Sequence, residues 1–254
     1  CKEVVPVKKL SSGIHMLELW HGPTMAFKDM ALQMLPLLLT GSLKIQRQDK
    51  NILILVATSG DTGKAALEGF CDVEHTGICV FYPHDGVSKA QKLQMVTQGG
   101  NNVMVSGIYG NFDDAQTGVK KLFADEEFNS KVEELGYSLS SANSINWGRL
   151  LPQIVHYFWG YLELVRSGSV KMGDKMNVCV PTGNFGNILA AYYAKQMGLP
   201  VGTLICASNV NNVLTDFFKT GTYCANREFY KTNSPSMDIL ISSNLERLLY
   251  HFSG

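Results

Sequence analysis

The sequence predicts an α/β fold in which open, mostly parallel β-sheets carry helices on both faces, a three-layer arrangement. The first observation is that short apolar runs alternate with helical segments from residue 51 onward, which is typical of strands buried on both faces. The second is that two Gly-rich turns, TSGDTG (58–63) and TGNFGN (182–187), directly follow such runs. Because ligands of open α/β sheets bind beyond the carboxyl ends of the strands, these turns predict two anion sites.

Residues 51–123 repeat a strand and a helix three times. Each predicted strand is a short run rich in Val, Ile, Leu or aromatic residues, and each predicted helix follows a turn. The pairs are NILILVAT (51–58) with KAALEGF (64–70), GICVFYP (77–83) with the amphipathic SKAQKLQMVTQ (88–98), and NNVMVSG (101–107) with DDAQTGVKKLF (113–123). Ser and Asn then accumulate in SLSSANS (138–144), which predicts a seam in the chain.

The second half continues the same alternation. A long helix is predicted over 147–166, with Pro152 inside its opening turns. The remaining elements are a strand (176–182), the turn GNFGN, a helix (188–198) with Gly198 as its C-cap, a strand (201–208), a helix (213–221), and a further strand and helix within 237–254.

Composition excludes several function classes. Of 254 residues, 45% are hydrophobic and 17% are charged, as in globular proteins. Lys and Arg number 22, equal to Asp and Glu, which predicts no nucleic-acid partner and no membrane partner. The longest apolar stretch, ALQMLPLLLTG, is interrupted by Gln33 and Pro36 and is too short to span a bilayer. No secretory leader opens the sequence, so a cytoplasmic location is predicted.

The six Cys and six His residues predict no metal site. The sequence has no CxxC pair, no Cys/His cluster at zinc spacing and no HExxH motif. Cys79, Cys179 and Cys206 each lie in a strand-like run, which predicts buried structural thiols and suits a reducing cytosol.

The stretch TSGDTGKAA (58–66) is close to a phosphate-binding P-loop but does not complete one. Gly63 and Lys64 match the pattern, whereas Thr58 stands where Gly is required and Ala65 where a hydroxyl should reach magnesium. The dinucleotide fingerprint GxGxxG is also absent. From this loop alone, a helix start rich in turn and capping residues remains an alternative to an anion site.

Lys28 lies in the segment LELWHGPTMAFKDMALQML (17–35). A helix is predicted from about Phe27, which places Lys28 on the first turn beside Ala26 and Met30. A Lys amine in a partly dry pocket has a lowered pKa and becomes nucleophilic, and the positive end of a helix acts in the same direction. Pairing with Asp29, or extension of the amine to solvent, is the alternative.

Four motifs occur in a fixed order: HGPT-x-AFKD (21–29), TSGDTG (58–63), NSINWGR (143–149) and PTGNFGN (181–187). Together with YPHDGVSKAQKLQM (82–95) and SPSMDILISSNLERLL (234–249), this sequence resembles the threonine synthases, most closely the fungal and bacterial branch. These are pyridoxal-phosphate enzymes of fold type II, the tryptophan synthase β group. The resemblance implies a smaller domain over 48–145, a larger domain formed by 1–47 and 146–254, and a cofactor crevice between the two.

The resemblance assigns cofactor roles to seven residues. Lys28 would hold the aldehyde of pyridoxal 5'-phosphate as a Schiff base and carry protons as the catalytic residue. Asp61 would lie near the phenolic oxygen, where a carboxylate is tolerated only if protonated or paired with a cation such as Lys28 or Lys64. Five loop residues would bind the cofactor phosphate, because Gly residues let N–H groups converge on an anion at a helix start: Gly183, Asn184, Phe185, Gly186 and Asn187.

Substrate roles follow from the same resemblance. The hydroxyls of Ser59 and Thr62 would bind a substrate carboxylate or phosphate. Ser144 and Arg149 would bind the substrate phosphate, with Asn146 between them, since guanidinium makes bidentate contacts with phosphate. A solvated Arg149 in the first turn of a helix is the alternative, which is unfavourable without a nearby anion. His21 and Thr24 belong to the first motif and are expected only to lie near the site.

The implied activity is conversion of O-phospho-L-homoserine and water to L-threonine and phosphate (EC 4.2.3.1), by a monomer or homodimer. Alternatives are another fold type II lyase or dehydratase, which has no need of NSINWGR, and a catalytically silent protein that binds a phosphorylated metabolite. The family extends beyond both ends of this chain. The partner of the pyridine nitrogen is therefore expected beyond residue 254, and the chain by itself is expected to bind cofactor poorly or to lack activity.

Overall fold

The computed structural model describes residues 3–253, and its parallel sheets with covering helices confirm the α/β class. Internal contacts divide the chain into two units. The first unit is Leu19–Arg149 with residues 3 and 4, and the second is Val5–Glu18 with residues 150–253. The predicted domain boundaries, 48–145 against the rest, stay a prediction, and the first unit contains that segment together with residues on both sides of it.

A β-hairpin in the second unit begins the described chain and was missing from the sequence analysis. Strands β1 (Val7–Ser11) and β2 (Ile14–Leu17) pair antiparallel, with Val7 opposite Leu17. The turn contains Gly13 at φ 75°, a conformation that Gly adopts readily. The Ser12-Gly13 pair between two alternating runs is the signal that could have predicted the hairpin.

The helix predicted from about Phe27 is two helices, α1 (Asp29–Leu32) and α2 (Leu35–Ile45). Pro36 has no N–H to donate to the carbonyl of Leu32, so a continuous helix cannot pass through it. Lys28 consequently lies at the N-cap of α1 and not on a first helical turn.

The first unit is built on one four-stranded parallel sheet in the order β5-β4-β3-β6. The three predicted strand–helix pairs are confirmed, with the first helix starting at Asp61. Residues 137–141, placed in a seam by the sequence analysis, form a strand instead and pair with β3. The elements are β3 (Asn51–Ala57), α3 (Asp61–Phe70), β4 (Thr76–Pro83), α4 (Lys89–Val96), β5 (Val103–Ile108), α5 (Phe112–Ala124), α6 (Glu126–Glu134) and β6 (Tyr137–Ser141).

Helices cover both faces of this sheet, as predicted. Because side chains alternate along a strand, Ile54 and Val56 of β3 point to one face, where they share a core with residues of α1 to α4 such as Leu67. Leu55 points to the opposite face and joins a second core with Val119 of α5.

The second unit repeats the arrangement around a two-stranded parallel sheet. Helix α7 (Trp147–Leu150) ends at the unit boundary and α8 (Gln153–Arg166) follows it, so the helix predicted over 147–166 is broken. Pro152 causes the break, because it cannot donate to the carbonyl of Gly148. The remaining elements are β7 (Met176–Pro181), α9 (Gly186–Gln196), β8 (Val201–Ala207), α10 (Val213–Thr220), a 3₁₀ turn (Pro235–Met237) and α11 (Leu245–Ser253).

Two further predictions for this unit have different outcomes. Gly198 follows the end of α9 at φ 100°, which confirms the predicted helix stop. The strand predicted at the start of 237–254 is wrong, since residues 238–244 have no regular structure. Their polar groups bond to the turn after β7, to Tyr223 and, through Asp238, to Asn209, Asn211 and Thr232.

The cysteines are less buried than predicted. Cys79, Cys179 and Cys206 do lie in strands, but Cys179 is exposed and the other two are half-buried. Cys179 lies on a face of β7 that is open, as its neighbours at 177 and 181 also are. No helix within residues 3–253 has the length and apolar character to cross a membrane, and no group of metal-binding side chains occurs in the same residues.

Candidate active site

Asp29 fixes the backbone that presents Lys28. Its buried carboxylate accepts hydrogen bonds from the hydroxyl and the N–H of Thr24, at 2.5 and 2.9 Å, and from the N–H of Ala26. A Cβ at Gly22 would lie 2.5 Å from Oδ2 of Asp29, so only Gly allows this approach. The motif HGPT-x-AFKD is therefore a turn closed on its own last residue. Thr24 belongs to this scaffold, while His21 stacks on Trp20.

The amine of Lys28 is largely removed from solvent, with 12% of its side chain exposed. Burial is the main cause that lowers the pKa of Lys28 from 10.5 to about 8. The negative charge of Asp61 raises this pKa, and the positive charges of Arg149 and Lys64 lower it. The pairing of Lys28 with Asp29 that was the alternative does not occur, because Asp29 bonds to Thr24 and Ala26.

Asp61 is shared between two lysines. Its Oδ2 lies 3.9 Å from Nζ of Lys28, and its Oδ1 lies 3.2 Å from Nζ of Lys64. Nε2 of Gln91 donates to the same Oδ1 at 2.9 Å. Gln91 also closes the capping box of α4 with Ser88, so the start of that helix is tied to the carboxylate. Two amines and an amide N–H group therefore surround this carboxylate.

Neither Lys64 nor Gln91 was predicted as a site residue. Lys64 was recognised only as a match to the P-loop and as one of two cations that could pair with Asp61. Gln91 lies 30 residues from Asp61, and no motif in the sequence joins the two.

The turn TSGDTG caps α3 from within. Oγ1 of Thr58 accepts hydrogen bonds from the N–H groups of Gly60 and Gly63, at 2.9 and 2.8 Å. Thr58 therefore caps the start of α3, as the alternative to an anion site expects of one residue in this loop. Ser59 is exposed and Thr62 is half-buried, and their substrate contacts stay predictions.

The segment NSINWGR forms a tight turn and then the first three residues of α7. Arg149 is 3% exposed, so the solvated alternative is wrong, and its Nη1 donates to the carbonyl of Ala142 at 2.6 Å. Burial lowers the pKa of Arg149 to about 10. The amide of Asn146 donates to the carbonyl of Ser141 and accepts from the N–H of Gly148, so it shapes this turn. Ser144 is half-buried in the same turn.

In the second unit, the loop 183–187 joins β7 to α9. Phe185 adopts the left-handed conformation, with φ 65°, and its ring is buried. A Cβ at Gly183 would lie 2.9 Å from Cγ1 of Ile239, so Gly is required for the close packing. Asn187 is in contact with the hydroxyl of Tyr157 through both its carbonyl and its side-chain oxygen. Burial raises the pKa of Tyr157, which keeps that hydroxyl protonated.

His156, next to Tyr157 on α8, is a buried titratable group that the sequence analysis missed. Within the described residues, neither ring nitrogen makes a hydrogen bond of good geometry. Burial lowers the pKa of His156 from 6.5 to about 4, although the side chain of Asn187 acts on the ring and raises this pKa. Helix α8 buries residues 153, 154, 156, 157, 160 and 161, and this helical spacing could have predicted that His156 faces the core.

The side chains fit pyridoxal phosphate in each unit considered by itself. The first unit brings together Lys28, Asp61 and Arg149, and it offers a buried amine to an aldehyde. The second unit keeps the five residues 183–187 together at the start of an eleven-residue helix. Among residues 3–253, the N–H groups of Asn184, Phe185 and Gly186 donate no hydrogen bond to the protein. Free N–H groups at a helix start suit a phosphate.

Comparisons with known proteins agree with this fit. Residues 4–251 match the family model described as pyridoxal-phosphate dependent enzyme. Human threonine synthase-like 1 is 49% identical over 98% of this chain and 34% of its own length. The threonine synthase of Eremothecium gossypii is 42% identical over 99% of this chain and 49% of its own length. The crystal structure of PLP-bound threonine synthase from Brucella melitensis superposes with a TM-score of 0.88 at 42% identity. The match covers 98% of this chain and 51% of the Brucella chain. The chain thus spans about a third to a half of the length of these relatives.

Proposed function

Because the chain belongs to the pyridoxal-phosphate-dependent enzymes, we propose that the full-length protein carrying it converts O-phospho-L-homoserine and water to L-threonine and phosphate. This is the threonine synthase reaction, catalysed by a carbon–oxygen lyase (EC 4.2.3.1). The observation that carries the proposal is the buried amine of Lys28 between a carboxylate and two further cations. A cytoplasmic location and a monomeric or homodimeric state are parts of the same proposal.

Lys28 and the loop 183–187 would hold the cofactor. Nζ of Lys28 would bond to the aldehyde carbon, and the N–H groups of the loop would bind the phosphate. Asp61 would lie near the phenolic oxygen, with its own charge neutralised by Lys64 at 3.2 Å. When bound, pyridoxal phosphate supplies an electron-accepting ring that stabilises negative charge next to the substrate's amino group.

Lys28 would also move protons during the reaction. Its Nζ would take a proton from Cα of the substrate and return one as the product forms. A pKa of about 8 keeps both the neutral and the charged amine populated near neutral pH, which is what a general base and acid requires. The carboxylate of Asp61, 3.9 Å away, would stabilise the ammonium after it has taken up the proton.

Arg149 and Ser144 would bind the substrate phosphate and later the released phosphate. The planar guanidinium can hold two phosphate oxygens at once. Because burial disfavours the charge of Arg149, a phosphate beside it would offset that desolvation. Asn146 would keep this turn in shape, and the hydroxyls of Ser59 and Thr62 would bind the substrate's carboxylate or phosphate.

A second candidate is favoured by one of the comparisons. The relative that is 49% identical to this chain is named threonine synthase-like 1 and not threonine synthase. The same residues would then serve another lyase or dehydratase of this fold group, or a protein that binds a phosphorylated metabolite without turnover. A dehydratase of this fold group would have no need of NSINWGR, whereas the silent protein would keep the phosphate-binding residues and form no product.

Product analysis separates these candidates. The full-length protein, loaded with pyridoxal phosphate, is incubated with O-phospho-L-homoserine, and phosphate, L-threonine and 2-oxo acid are quantified. Equal amounts of phosphate and L-threonine support the proposed function. Phosphate with 2-oxo acid and ammonia, but no threonine, supports the lyase candidate. Substrate binding without phosphate release supports the silent protein.

A further inference from the structure

Two carbonyl groups of the loop 183–187 are held by a segment 59 and 60 residues further along the chain. The hydroxyl of Ser242 donates to the carbonyl of Gly183 at 2.6 Å. The carbonyl of Asn184 accepts two hydrogen bonds from Asn244, one from its backbone N–H at 3.0 Å and one from its side-chain amide at 3.1 Å. Ser242 and Asn244 are both buried, with Asn244 fully so. We refer to residues 242–244 as the carbonyl clamp.

The carbonyl clamp determines where the loop's N–H groups point. In a trans peptide, the carbonyl of one residue and the N–H of the next point in opposite directions. The carbonyls of Gly183 and Asn184 point to the clamp, so the N–H groups of Asn184 and Phe185 point away from it. Successive N–H groups beside a left-handed residue form a concave anion site, and Phe185 is left-handed here.

Tyr223 and two apolar contacts keep the carbonyl clamp in place. The hydroxyl of Tyr223 donates to the carbonyl of Leu240 at 2.9 Å and accepts from the N–H of Ser242 at 2.7 Å. Ile239 and Met237 pack directly against Gly183, where no side chain would fit. The segment that carries the clamp therefore approaches the loop from behind, on the side of its carbonyls.

We propose that Ser242 and Asn244 are positioning residues of the cofactor phosphate site. They hold two peptide groups of the loop so that adjacent N–H groups face the anion. This inference rests on the proposed phosphate-binding role of the loop. A purely structural role is the competing explanation, because Asn244 precedes α11 and its carbonyl and side-chain oxygens both accept hydrogen bonds from Arg247.

The test compares a ligand that has the phosphate with one that lacks it. Dissociation constants for pyridoxal phosphate and for pyridoxal are measured on the full-length apoprotein and on Ser242→Ala, Ser242→Thr and Asn244→Ala. Ser167→Ala is the matched control, since its hydroxyl also donates to a backbone carbonyl, at 3.0 Å, but on α8. The ³¹P NMR signal of the bound phosphate and the thermal midpoint of the apoprotein are recorded for each variant.

We expect Ser242→Ala and Asn244→Ala to weaken pyridoxal phosphate binding about tenfold, which is the effect of losing one well-formed hydrogen bond. Binding of pyridoxal should be unchanged, the ³¹P signal should shift, and Ser242→Thr should restore the affinity. Equal weakening of both ligands, or no change in either, would overturn the positioning role. If the wild-type protein binds pyridoxal as tightly as pyridoxal phosphate, the phosphate role of the loop fails, and this inference fails with it.

Discussion

The carboxylate of Asp61 lies 3.9 Å from the amine of Lys28, and it is the one negative charge among the groups that set the pKa of that amine. Burial lowers the pKa of Lys28, and the positive charges of Arg149 and Lys64 lower it further. The negative charge of Asp61 raises the same pKa. Lys64 is also the nearer cation to Asp61, at 3.2 Å. Besides burial, the protonation of Lys28 therefore depends on a carboxylate that a second lysine shares.

Asp61→Asn should lower the pKa of Lys28 below about 8, because the group that favours the ammonium loses its charge. Lys64→Met should raise the same pKa, because it removes a repelling cation and leaves Asp61 to Lys28 alone. The neutral amine is the form that reacts, so labelling of Lys28 at pH 7 should be severalfold faster in the first variant and slower in the second. Competitive acetylation of the apoprotein across a pH series, read by mass spectrometry, gives the pKa directly.

Asp85→Asn is the matched control for this experiment. Asp85 is exposed and pairs with His84, and it is not among the charges that act on Lys28. It should leave the pKa of Lys28 unchanged. If Asp61→Asn and Lys64→Met shift the pKa of Lys28 in the same direction, the model in which the two lysines share the carboxylate of Asp61 is contradicted.

Lys28→Ala should abolish covalent attachment of the cofactor and reduce turnover to background. The reason is that Nζ of Lys28 is the proposed bonding atom, with the side chain 12% exposed and oriented to Asp61. Borohydride reduction of the loaded full-length protein, followed by peptide mass spectrometry, should place the adduct on Lys28 in the wild type and on no lysine in the variant. Lys89→Ala, at an exposed position, should keep the adduct. An adduct that persists in Lys28→Ala would remove the assignment.

Arg149→Met should raise the KM for O-phospho-L-homoserine about a hundredfold, since hydrogen bonds to charged groups contribute about 1.5–3 kcal/mol. Affinity for pyridoxal phosphate should stay within about twofold, because Arg149 is assigned to the substrate. Arg149→Lys should recover part of the loss, as it keeps the charge but not the bidentate geometry. Arg166→Met, which removes an exposed guanidinium paired with Glu163, should behave as the wild type. An unchanged KM in Arg149→Met would show that the phosphate binds elsewhere.

The parts of the fold that the sequence predicted are those fixed by local hydrophobic pattern. Strands such as Asn51–Ala57 are nearly continuous apolar runs, the pattern typical of a parallel strand that is buried on both faces. The two predicted long helices failed at Pro36 and Pro152, where the apolar pattern continues but a backbone donor is missing. Strand Tyr137–Ser141 was missed because three of its five residues are Ser, and its backbone pairing with β3 leaves no hydrophobic pattern in the sequence.

The same distinction between local pattern and distant contact applies to the residues of the candidate site. Lys28, Asp61 and the loop 183–187 lie within motifs whose residues are close in sequence. Gln91, Ser242 and Asn244 reach those motifs from 30 to 60 residues away. A contact between distant segments depends on tertiary packing, and one sequence carries no spacing that encodes it.

His156 gives the protein a stability that depends on pH. The folded state holds this side chain neutral with a pKa of about 4, whereas the unfolded chain has the ordinary value of 6.5. Below pH 6.5 the unfolded state binds a proton that the folded state does not, so stability falls as pH falls from about 6.5 to 4. Above pH 6.5 both states are neutral at His156, and it contributes no further pH dependence.

His156→Leu should remove this dependence and raise stability, because it also replaces a buried ring whose nitrogens make no hydrogen bond of good geometry with the described residues. Between pH 7.5 and 5.0, the wild type should lose about 2 kcal/mol more than the variant, given 1.36 kcal/mol per pH unit. Urea unfolding of the full-length protein at the two pH values measures the difference. His251→Gln, at an exposed His of the same unit, should retain the wild-type slope. His156→Leu could instead keep the wild-type dependence of stability on pH, or be less stable than the wild type at pH 7.5. Either result would show that the ring has a stabilising partner in the folded protein, and it would contradict the neutral state of the buried ring.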